Sequence, residues 1–375
     1  MLVTENKEVQ MDHFLNEMAK ALQLDETRYN RMITSYEAIK KWIEGDEIFF
    51  KPYKYEVYPH GSVRVFTTVK PIGKLEFDLD IVIHFNDIYI SHSPLKIYTE
   101  LIRRLNENET YKKILEKKNR VIRLNYSGDF HMDIMPGIQS SSFNVNKIKI
   151  PDIDLGMWVF SNPRGFAEWF MFKANLAKES LLERSLKSEK IQADNFNNKK
   201  PLQRAVQLIK RYRDIYFEND NKYQPRSIIL TTIAGQMYNG EDSIYETIEN
   251  IIKRVKSSFQ QEFRIKIYNP VDNEEDFTDK WDSEPEYYEA FKEFINHLDK
   301  EWQKLKMENG VLEESYILKR LFGNDLVTQV QIQESKAVSL SRERKELNIA
   351  RNSGILTNTL SNTNQPIVKN TFFCG

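Results

Sequence analysis

Apolar residues recur with two different periods along the chain, and the period changes near residue 50. Between residues 27 and 43, apolar side chains return at three- and four-residue steps, which predicts one apolar face of a helix. The residues that form this face are Met32, Tyr36, Ile39 and Trp42. Asp25 is a suitable N-cap, so the first 45 residues or so are predicted to be helical.

The block from about residue 53 to 154 has the short, β-branched and aromatic runs that are typical of strands. These runs are YKYEVYP, FDLDIVIHF, VIRLNY and FHMDIM. Pro94 to Lys118 is predicted to be a helix between them, with Leu95, Tyr98, Leu101, Ile102 and Leu105 on one side. Strands and a helix mixed in this way indicate an α/β or α+β core.

From about residue 162 the chain is predicted to be mostly helical. The helices are expected in NPRGFAEWFMFKANLAKESLLERSL, PLQRAVQLIKRYRDIYF, RSIILTTIAGQMY and FKEFINHLDKEWQKLKME. The acidic run at 272–289 is expected to be a solvated loop. The Asn-, Thr- and Ser-rich end from about residue 350 is expected to be a flexible tail with a short apolar tip.

Composition excludes several classes of protein. The 375 residues are 40% hydrophobic, which is ample for a core and excludes global disorder. The 54 basic residues nearly cancel the 55 acidic ones, which argues against a wholesale nucleic-acid coat. A single cysteine, Cys374, excludes an internal disulfide and a cysteine-rich zinc site. Without a secretory signal or a membrane-length apolar run, the expected location is the cytoplasm.

The strand FDLDIVI carries the first candidate chemistry. Side chains alternate between the faces of a strand, so Asp78 and Asp80 share one face while Leu79, Ile81 and Ile83 point into a core. Paired carboxylates on an apolar strand repel each other unless a cation lies between them. Oxygen ligands of this kind suit Mg²⁺, with Mn²⁺ as a substitute. The alternative is that both aspartates lie on a solvated strand edge.

Two further motifs favour the metal site. Gly61 and Ser62 follow the strand YKYEVYP, and a glycine there lets backbone amides approach a phosphate while the serine adds a donor. Asp133 is a third carboxylate on the apolar strand FHMDIM, where His131 is expected to be a neighbour rather than a ligand. This order of motifs describes a two-metal site for nucleotidyl transfer.

The helix at 201–217 contains misplaced charge. Its apolar arc consists of Leu202, Ala205, Val206, Ile209, Tyr212 and Tyr216. Arg213 falls inside this arc and Lys210 lies at its margin. Burying an unpaired arginine is costly, so this part of the helix is expected to face an anionic ligand. The alternative is that both are cations whose heads reach solvent.

Several motifs together resemble the polymerase-β-type nucleotidyltransferases, and more narrowly the bacterial CD-NTases (cGAS/DncV-like enzymes) of CBASS antiphage systems. They are YPHGSVRVFTTVKPIGKLEFDLDIVI, HMDIMPGI, SNPRGFAEWF, PLQRAVQLIKRYRDIYF, PRSIILTTIAG and NPVDNEEDFTDKW, and they span roughly residues 50–285. The resemblance implies an α+β fold, in which a polymerase-β-like core with a mixed sheet packs against a helical lobe across a central cleft. The expected divisions are N-terminal helices at 1–46, the core at 47–160, the helical lobe at 161–345 and the tail at 346–375.

The resemblance also implies a reaction: ATP and other NTPs are joined and cyclised with release of pyrophosphate, and a separate effector responds only to the product. Asp78 and Asp80 would hold both metals, Asp133 would complete the site, and Gly61 and Ser62 would hold the terminal phosphates. Lys210 and Ser227 match positions that reach the donor triphosphate, and Arg213 is a further candidate for binding it. Activation by nucleic acid is not expected, because the zinc insertion of the DNA-sensing relative needs more than one cysteine.

The tail carries a separate expectation. In one type of CBASS operon an E1/E2-like partner joins the terminal glycine of the synthase to a target, and Gly375 ends this chain. Two other functions stay open from the sequence: a template-independent transferase that makes linear products, similar to an oligoadenylate synthase or a tRNA-tailing enzyme, and a catalytically idle scaffold that binds nucleotide or RNA. Base choice, linkage and ring size are not readable from the sequence.

Overall fold

The structure is a computed structural model. It describes residues 2–73, 76–86, 91–126, 128, 130–177, 189–307, 310–344, 346, 348–350, 356–357 and 364–366. Gly375, the predicted conjugation site, lies outside the described residues. Within these ranges the mixture of sheet and helices is the α+β fold that the resemblance implied.

Two N-terminal helices begin the chain and pack into different cores. Helix α1 spans Leu2–Ala21 and α2 spans Glu26–Glu44. Asp25 is the N-cap of α2, as predicted, and its side chain accepts a hydrogen bond from the backbone N–H of Arg28. The apolar face of α2 covers the sheet, whereas Leu15 and Met18 of α1 belong to the core of the helical region.

The central sheet is mixed and has seven strands among the described residues. Their order is β1-β2-β5-β4-β3, with β6 joining β5 to β7. The strands are β1 Tyr55–His60, β2 Phe77–Phe85, β3 Leu115–Lys117, β4 Ile122–Tyr126, β5 Phe130–Gln139, β6 Ile148–Asp152 and β7 Met157–Ser161. β2 and β5 run parallel and every other pair is antiparallel. The face that carries Leu79, Ile81 and Ile83 is fully buried, as the alternation predicted.

The region predicted to be one helix from Pro94 to Lys118 is divided into three elements. They are helix α4 Pro94–Asn106, helix α5 Glu109–Ile114 and strand β3. The break occurs because Asn108 caps a new helix, and its side chain accepts from the backbone N–H groups of Thr110 and Tyr111. Leu95, expected on the apolar side, is instead 55% exposed.

The second half of the chain is helical. The helices are α6 Pro163–Ala174, α7 Pro201–Tyr216, α8 Ser227–Met237, α9 Ile244–Gln261, α10 Lys280–Ser283, α11 Glu286–Met307, α12 Val311–Phe322 and α13 Asn324–Glu343, after the short α3 Gly61–Arg64 in the first half. Asn162 caps α6, which ends at Ala174 and is followed by a 3-10 turn at Asn175–Ala177; the rest of the helix predicted in this region, residues 178–186, lies outside the described residues. Helix α8 is buried along most of its length, as its apolar sequence predicted.

The expectation that residues 272–289 form a solvated loop was wrong. Strand β9, Asp272–Asp276, pairs with β8, Tyr268–Asn269, and α10 and α11 begin within the same run. Glu275 accepts hydrogen bonds from the Ser161 hydroxyl and from the backbone N–H of Asn162. This carboxylate can lie partly buried because groups of the sheet region donate hydrogen bonds to it. Local composition does not reveal such a pairing.

The tail region contributes three short strands to the described residues. β10, Asn348–Ala350, pairs antiparallel with both β11, Leu356–Thr357, and β12, Asn364–Pro366. No helix in the described ranges is both long and apolar enough to cross a membrane.

Candidate active site

Three aspartates meet on one face of two parallel strands. Asp80 of β2 lies directly opposite Asp133 of β5, and Asp78 lies two residues earlier on the same face, opposite His131. The opposite face of both strands is packed with apolar side chains, which fixes the register. The Asp78 side chain is 57% exposed, whereas that of Asp133 is only 13% exposed. The sheet therefore brings the predicted triad together at the wall of a cleft.

The electrostatics of the triad favour an added cation. Burial, followed by the negative charges of Asp78 and Asp133, raises the pKa of Asp80 well above its usual value. Desolvation by the surrounding cleft, and next the charge of Asp133, also raise the pKa of Asp78, although part of its side chain remains exposed. A divalent ion would stabilise the ionised forms, and these carboxylate oxygens are the donors that Mg²⁺ prefers.

The described residues do not hold a preformed metal cage. Among them, no group of three or more His, Cys, Asp or Glu side chains has an arrangement that could hold a metal ion. Asp133 explains this at the aspartates, because both of its oxygens accept hydrogen bonds from Arg123, at 2.7 and 2.8 Å. His131 is 3.0 Å from Glu76 and lies beside the triad.

Gly61 sits against the triad and has no room for a side chain. Its φ is +60°, and a Cβ atom added there would lie 2.1 Å from Oδ2 of Asp80. Only glycine allows both this backbone conformation and this approach. Ser62 follows, and its hydroxyl oxygen is 3.2 Å from that of Thr68. The Gly-Ser pair thus borders the carboxylates directly.

A polar row on α7 holds the loop that follows the Gly-Ser pair. The Nε2 atoms of Gln203 and Gln207 donate to the carbonyls of Val65 and Thr68, at 3.0 and 2.7 Å. One turn further on, Lys210 donates to the hydroxyl of Thr67 at 3.0 Å. Neither glutamine was predicted from the sequence, although polar residues at 203, 207 and 210 share one side of a largely apolar helix.

Lys210 is nearly fully buried, with 5% of its surface exposed. Burial, and next the charge of Arg213, lower the pKa of Lys210 to about 7. Lys210 also lines the cavity that contains Asp78 and Asp80. Its position at the margin of the apolar arc was predicted, whereas its bond to Thr67 was not visible in the sequence.

Arg213 and Ser227 lie together, and Arg213 is already paired. One Nη of Arg213 donates to the Ser227 hydroxyl at 2.6 Å, while its Nε and other Nη donate to Asp214 at 2.8 and 2.6 Å. Arg213 was expected to be unpaired and therefore to face an anionic ligand. It is not unpaired, because the adjacent Asp214 accepts its hydrogen bonds and compensates its charge. Both residues nevertheless line the cleft.

A cavity of about 580 Å³ joins these groups, which is in the usual range for a small-molecule site. It lies between the sheet and helices α7 and α8. Its lining includes Gly61, Ser62, Asp78, Asp80, Lys210, Arg213 and Ser227, together with the unpredicted Thr67, Thr68, Asp214, Glu218, Asn221 and Gln224. Asp133 does not line this cavity, since it lies beside Asp80 and is held by Arg123.

The chain is similar to known second-messenger synthases. Residues 9–174 match the Second Messenger Oligonucleotide or Dinucleotide Synthetase domain. The c-di-GMP synthase of Roseivirga ehrenbergii is 42% identical over 376 residues, which cover all of both chains. Two solved structures share the fold. The CD-NTase CdnG of Bradyrhizobium diazoefficiens in complex with GTP has a TM-score of 0.71 at 21% identity, and covers 87% of this chain and 99% of its own. Escherichia coli DncV in its 3′-deoxy GTP bound form has a TM-score of 0.56 at 16% identity, and covers 87% and 89%.

Fold, site and similarity together define a nucleotidyltransferase that synthesises a cyclic oligonucleotide second messenger. The chain belongs to the bacterial CD-NTases of the cGAS/DncV-like type. The family, the fold class and the reaction class that the motifs implied are thereby confirmed.

Proposed function

We propose that the enzyme converts two molecules of GTP into c-di-GMP. In each half of the reaction a ribose hydroxyl of one nucleotide attacks the α-phosphorus of the other, and the bond to the β-phosphate breaks. Two phosphodiester bonds form, two pyrophosphates leave, and the two hydroxyl protons pass to solvent. The choice of guanine is supported by the full-length 42% identity to a c-di-GMP synthase.

The observation that carries the chemistry is the alignment of Asp80 with Asp133, next to Asp78, where Asp78 and Asp80 line a cleft that also contains Gly61. The three carboxylates fit Mg²⁺ or Mn²⁺, because their oxygens are hard donors and the negative charges of Asp78 and Asp133 both act on Asp80. When bound, divalent ions at such a site supply charge neutralisation for an in-line displacement at phosphorus. Asp78 and Asp80 would hold both ions, and Asp133 would complete the site and help to activate the attacking hydroxyl.

The remaining residues bind the substrate. The glycine at position 61 lets the backbone approach the terminal phosphates, and Ser62 contributes a hydroxyl donor. Lys210, when protonated, attracts the triphosphate from the opposite wall, and Arg213 and Ser227 extend this donor surface. Hydrogen bonds from Gln203 and Gln207 hold the loop at 65–68 in place before GTP binds. Less conformational entropy is therefore lost when GTP binds beside this loop.

Incubation of the protein with labelled ATP, GTP, CTP and UTP and with Mg²⁺ or Mn²⁺ tests the proposal. Mass spectrometry should find a product of two GMP units that resists phosphatase and forms without an RNA primer. A linear product would instead support the oligoadenylate-synthase-like or tRNA-tailing alternative. Binding of GTP with no turnover under any metal would support the scaffold.

We further propose that the product acts in antiphage defence in the bacterial cytoplasm, where the NTP substrates are found. The resemblance to CBASS synthases supports this, and also supports conjugation of Gly375 to a target by an E1/E2-like protein. Intact-mass analysis after co-expression with such a neighbour should find an adduct on the complete chain. Adducts that persist after deletion of Gly375 would rule out conjugation at that residue.

A further inference from the structure

Arg123 is the cation that contacts the aspartates most closely in the described part of the chain. It lies on β4, directly opposite Asp133 of β5 in the antiparallel register. Its Nε and Nη2 atoms donate to the two oxygens of Asp133, at 2.7 and 2.8 Å. The same Nη2 atom is 3.6 Å from Oδ1 of Asp78. One guanidinium therefore faces two of the three carboxylates.

The contrast with Lys210 shows what is special about this contact. The Lys210 ammonium is bound to Thr67, and it influences Asp80 through space without a hydrogen bond to any of the three aspartates. Arg123 instead makes a two-pronged contact, the strongest geometry available between an arginine and a carboxylate. Its side chain is only 24% exposed, so solvent screens the contact little.

The position of Arg123 has a consequence for metal binding. The two hydrogen bonds from Arg123 occupy one lone pair on each oxygen of Asp133, and a divalent ion held jointly with Asp78 and Asp80 would have to bind one of the same oxygens. Two cations cannot occupy the same side of one carboxylate without strong repulsion. Arg123 and the metal therefore compete for Asp133.

We propose that Arg123 is the internal counter-ion of the metal-free site: it holds Asp133 and Asp78 in place and releases Asp133 when a divalent ion binds. Arg123 is thus a positioning residue, which acts on the reaction through Asp133. This inference rests on the proposed metal site. It predicts opposite effects of removing Arg123: the metal-free protein becomes less stable, and the metal binds more tightly.

Two measurements on the chelator-treated full chain test the proposal, with Mn²⁺ alone as the probe. Thermal unfolding without metal should show that Arg123→Gln lowers Tm by about 2–4 °C, because the carboxylates lose their counter-ion. Titration with Mn²⁺, followed by electron paramagnetic resonance of the free ion, should show a Kd lower by about tenfold or more, since a charge-assisted contact no longer has to break. Arg123→Lys, which keeps the charge but not the two-pronged contact, should lie between the two proteins.

Arg120→Gln is the matched control. Arg120 also donates to a carboxylate at 2.8 Å, that of the buried Asp152. Its removal should lower Tm and leave the Kd for Mn²⁺ unchanged. A general structural role of Arg123 would give the same pattern as this control, and that result would overturn the proposal.

The other outcomes separate this inference from the proposed metal site. If Asp133→Asn weakens Mn²⁺ binding while Arg123→Gln leaves the Kd unchanged or raises it, the site stands and the counter-ion role fails. If the wild-type protein binds no Mn²⁺ at all, both fail. If Arg123→Gln does not fold, Arg123→Lys decides the matter, because a Kd equal to or above that of wild type contradicts competition.

Discussion

The two walls of the cleft solve opposite electrostatic problems. On the sheet wall, Asp78, Asp80 and Asp133 bring like charges together, and burial raises the pKa of Asp80 well above its usual value. On the helical wall, Lys210 and Arg213 are each bound within the protein, to Thr67 and to Asp214. Arg123 compensates only part of the negative charge on the sheet wall, which therefore favours an added cation. The cations of the helical wall are hydrogen-bonded within the protein and position its loop and its donors.

Among substitutions in the two walls, replacement of the two carboxylates of β2 should have the largest effect on activity. Asp78→Asn with Asp80→Asn should reduce cyclic product by more than about 10³-fold, because the metal loses its ligands. The Tm of the metal-free protein should not fall, since the substitution removes mutual repulsion. Mass spectrometry of the product checks the loss of activity, and a thermal melt checks the Tm. Undiminished turnover would contradict the assignment of the metal ligands.

Gly61→Ala should have the next largest effect, a loss of activity of about 10²-fold. The new methyl group would meet Oδ2 of Asp80 and displace that carboxylate. Gly156→Ala is the control, because Gly156 has a similar φ of +65° but no atom within 4 Å of the added Cβ. Both variants carry the backbone strain, about 1–2 kcal/mol, so only the difference in kcat measures the close approach. Equal losses of kcat would show that strain alone is responsible.

Lys210→Met should raise the KM for GTP by about tenfold while the protein stays folded. Thr67→Val separates the two functions of Lys210, since it removes the hydroxyl that accepts from the lysine and keeps the charge. We expect the rise in KM for Thr67→Val to be less than half of the rise for Lys210→Met. Steady-state kinetics on both variants measure this, and equal effects would mean that Lys210 acts only through the loop.

The lowered pKa of Lys210 predicts a pH dependence of stability. In the folded protein Lys210 releases its proton near pH 7, whereas in the unfolded chain it does so near its ordinary value of 10.5. Between these values the unfolded chain binds more protons, so the contribution of Lys210 to the free energy of unfolding increases with pH. Urea unfolding at pH 6.5, 8 and 9.5 should show that the free energy of unfolding of the wild type increases with pH relative to that of Lys210→Met. A constant gap would contradict the buried, uncharged lysine.

Ser227→Ala should have the smallest effect, a rise of about threefold in the KM for GTP. Arg213 keeps its two hydrogen bonds to Asp214, so the helical wall loses one donor and retains its geometry. Thr328→Ala, on the exposed side of α13, is the control and should leave the KM unchanged. A rise above about tenfold would show that Ser227 has a larger role than the paired wall implies.

Much of the fold and most of the triad could be predicted because strand periodicity is local. The alternation in FDLDIVI placed Asp78 and Asp80 on one face and Leu79 on the other, which the structure matches. The breaks in periodicity were harder to predict: the single helix expected from Pro94 to Lys118 is interrupted at Asn108, whose capping bonds compete with an uninterrupted helical pattern.

The acidic run at 272–289 could not be interpreted from composition, because burial of a carboxylate depends on donors that lie far away in sequence. Glu275 is half-buried, and it accepts hydrogen bonds from Ser161 and Asn162 of the sheet region as well as from the nearby Asn269. The pairing of Arg213 was also not predicted, for a different reason. Its partner Asp214 is adjacent in sequence, but whether the two side chains meet depends on the rotamers of both residues.

The sequence by itself determined which residues alternate on which faces, and hence that three aspartates lie on strands of a nucleotidyltransferase core, with a Gly-Ser pair directly after another strand. Only the tertiary structure decided that Asp133 lies opposite Asp80, that Arg123 holds it, and that Lys210 is bound to Thr67. The physical reason is that periodicity follows from the local geometry of the backbone, whereas the pairing of charges follows from which strands and helices become neighbours on folding.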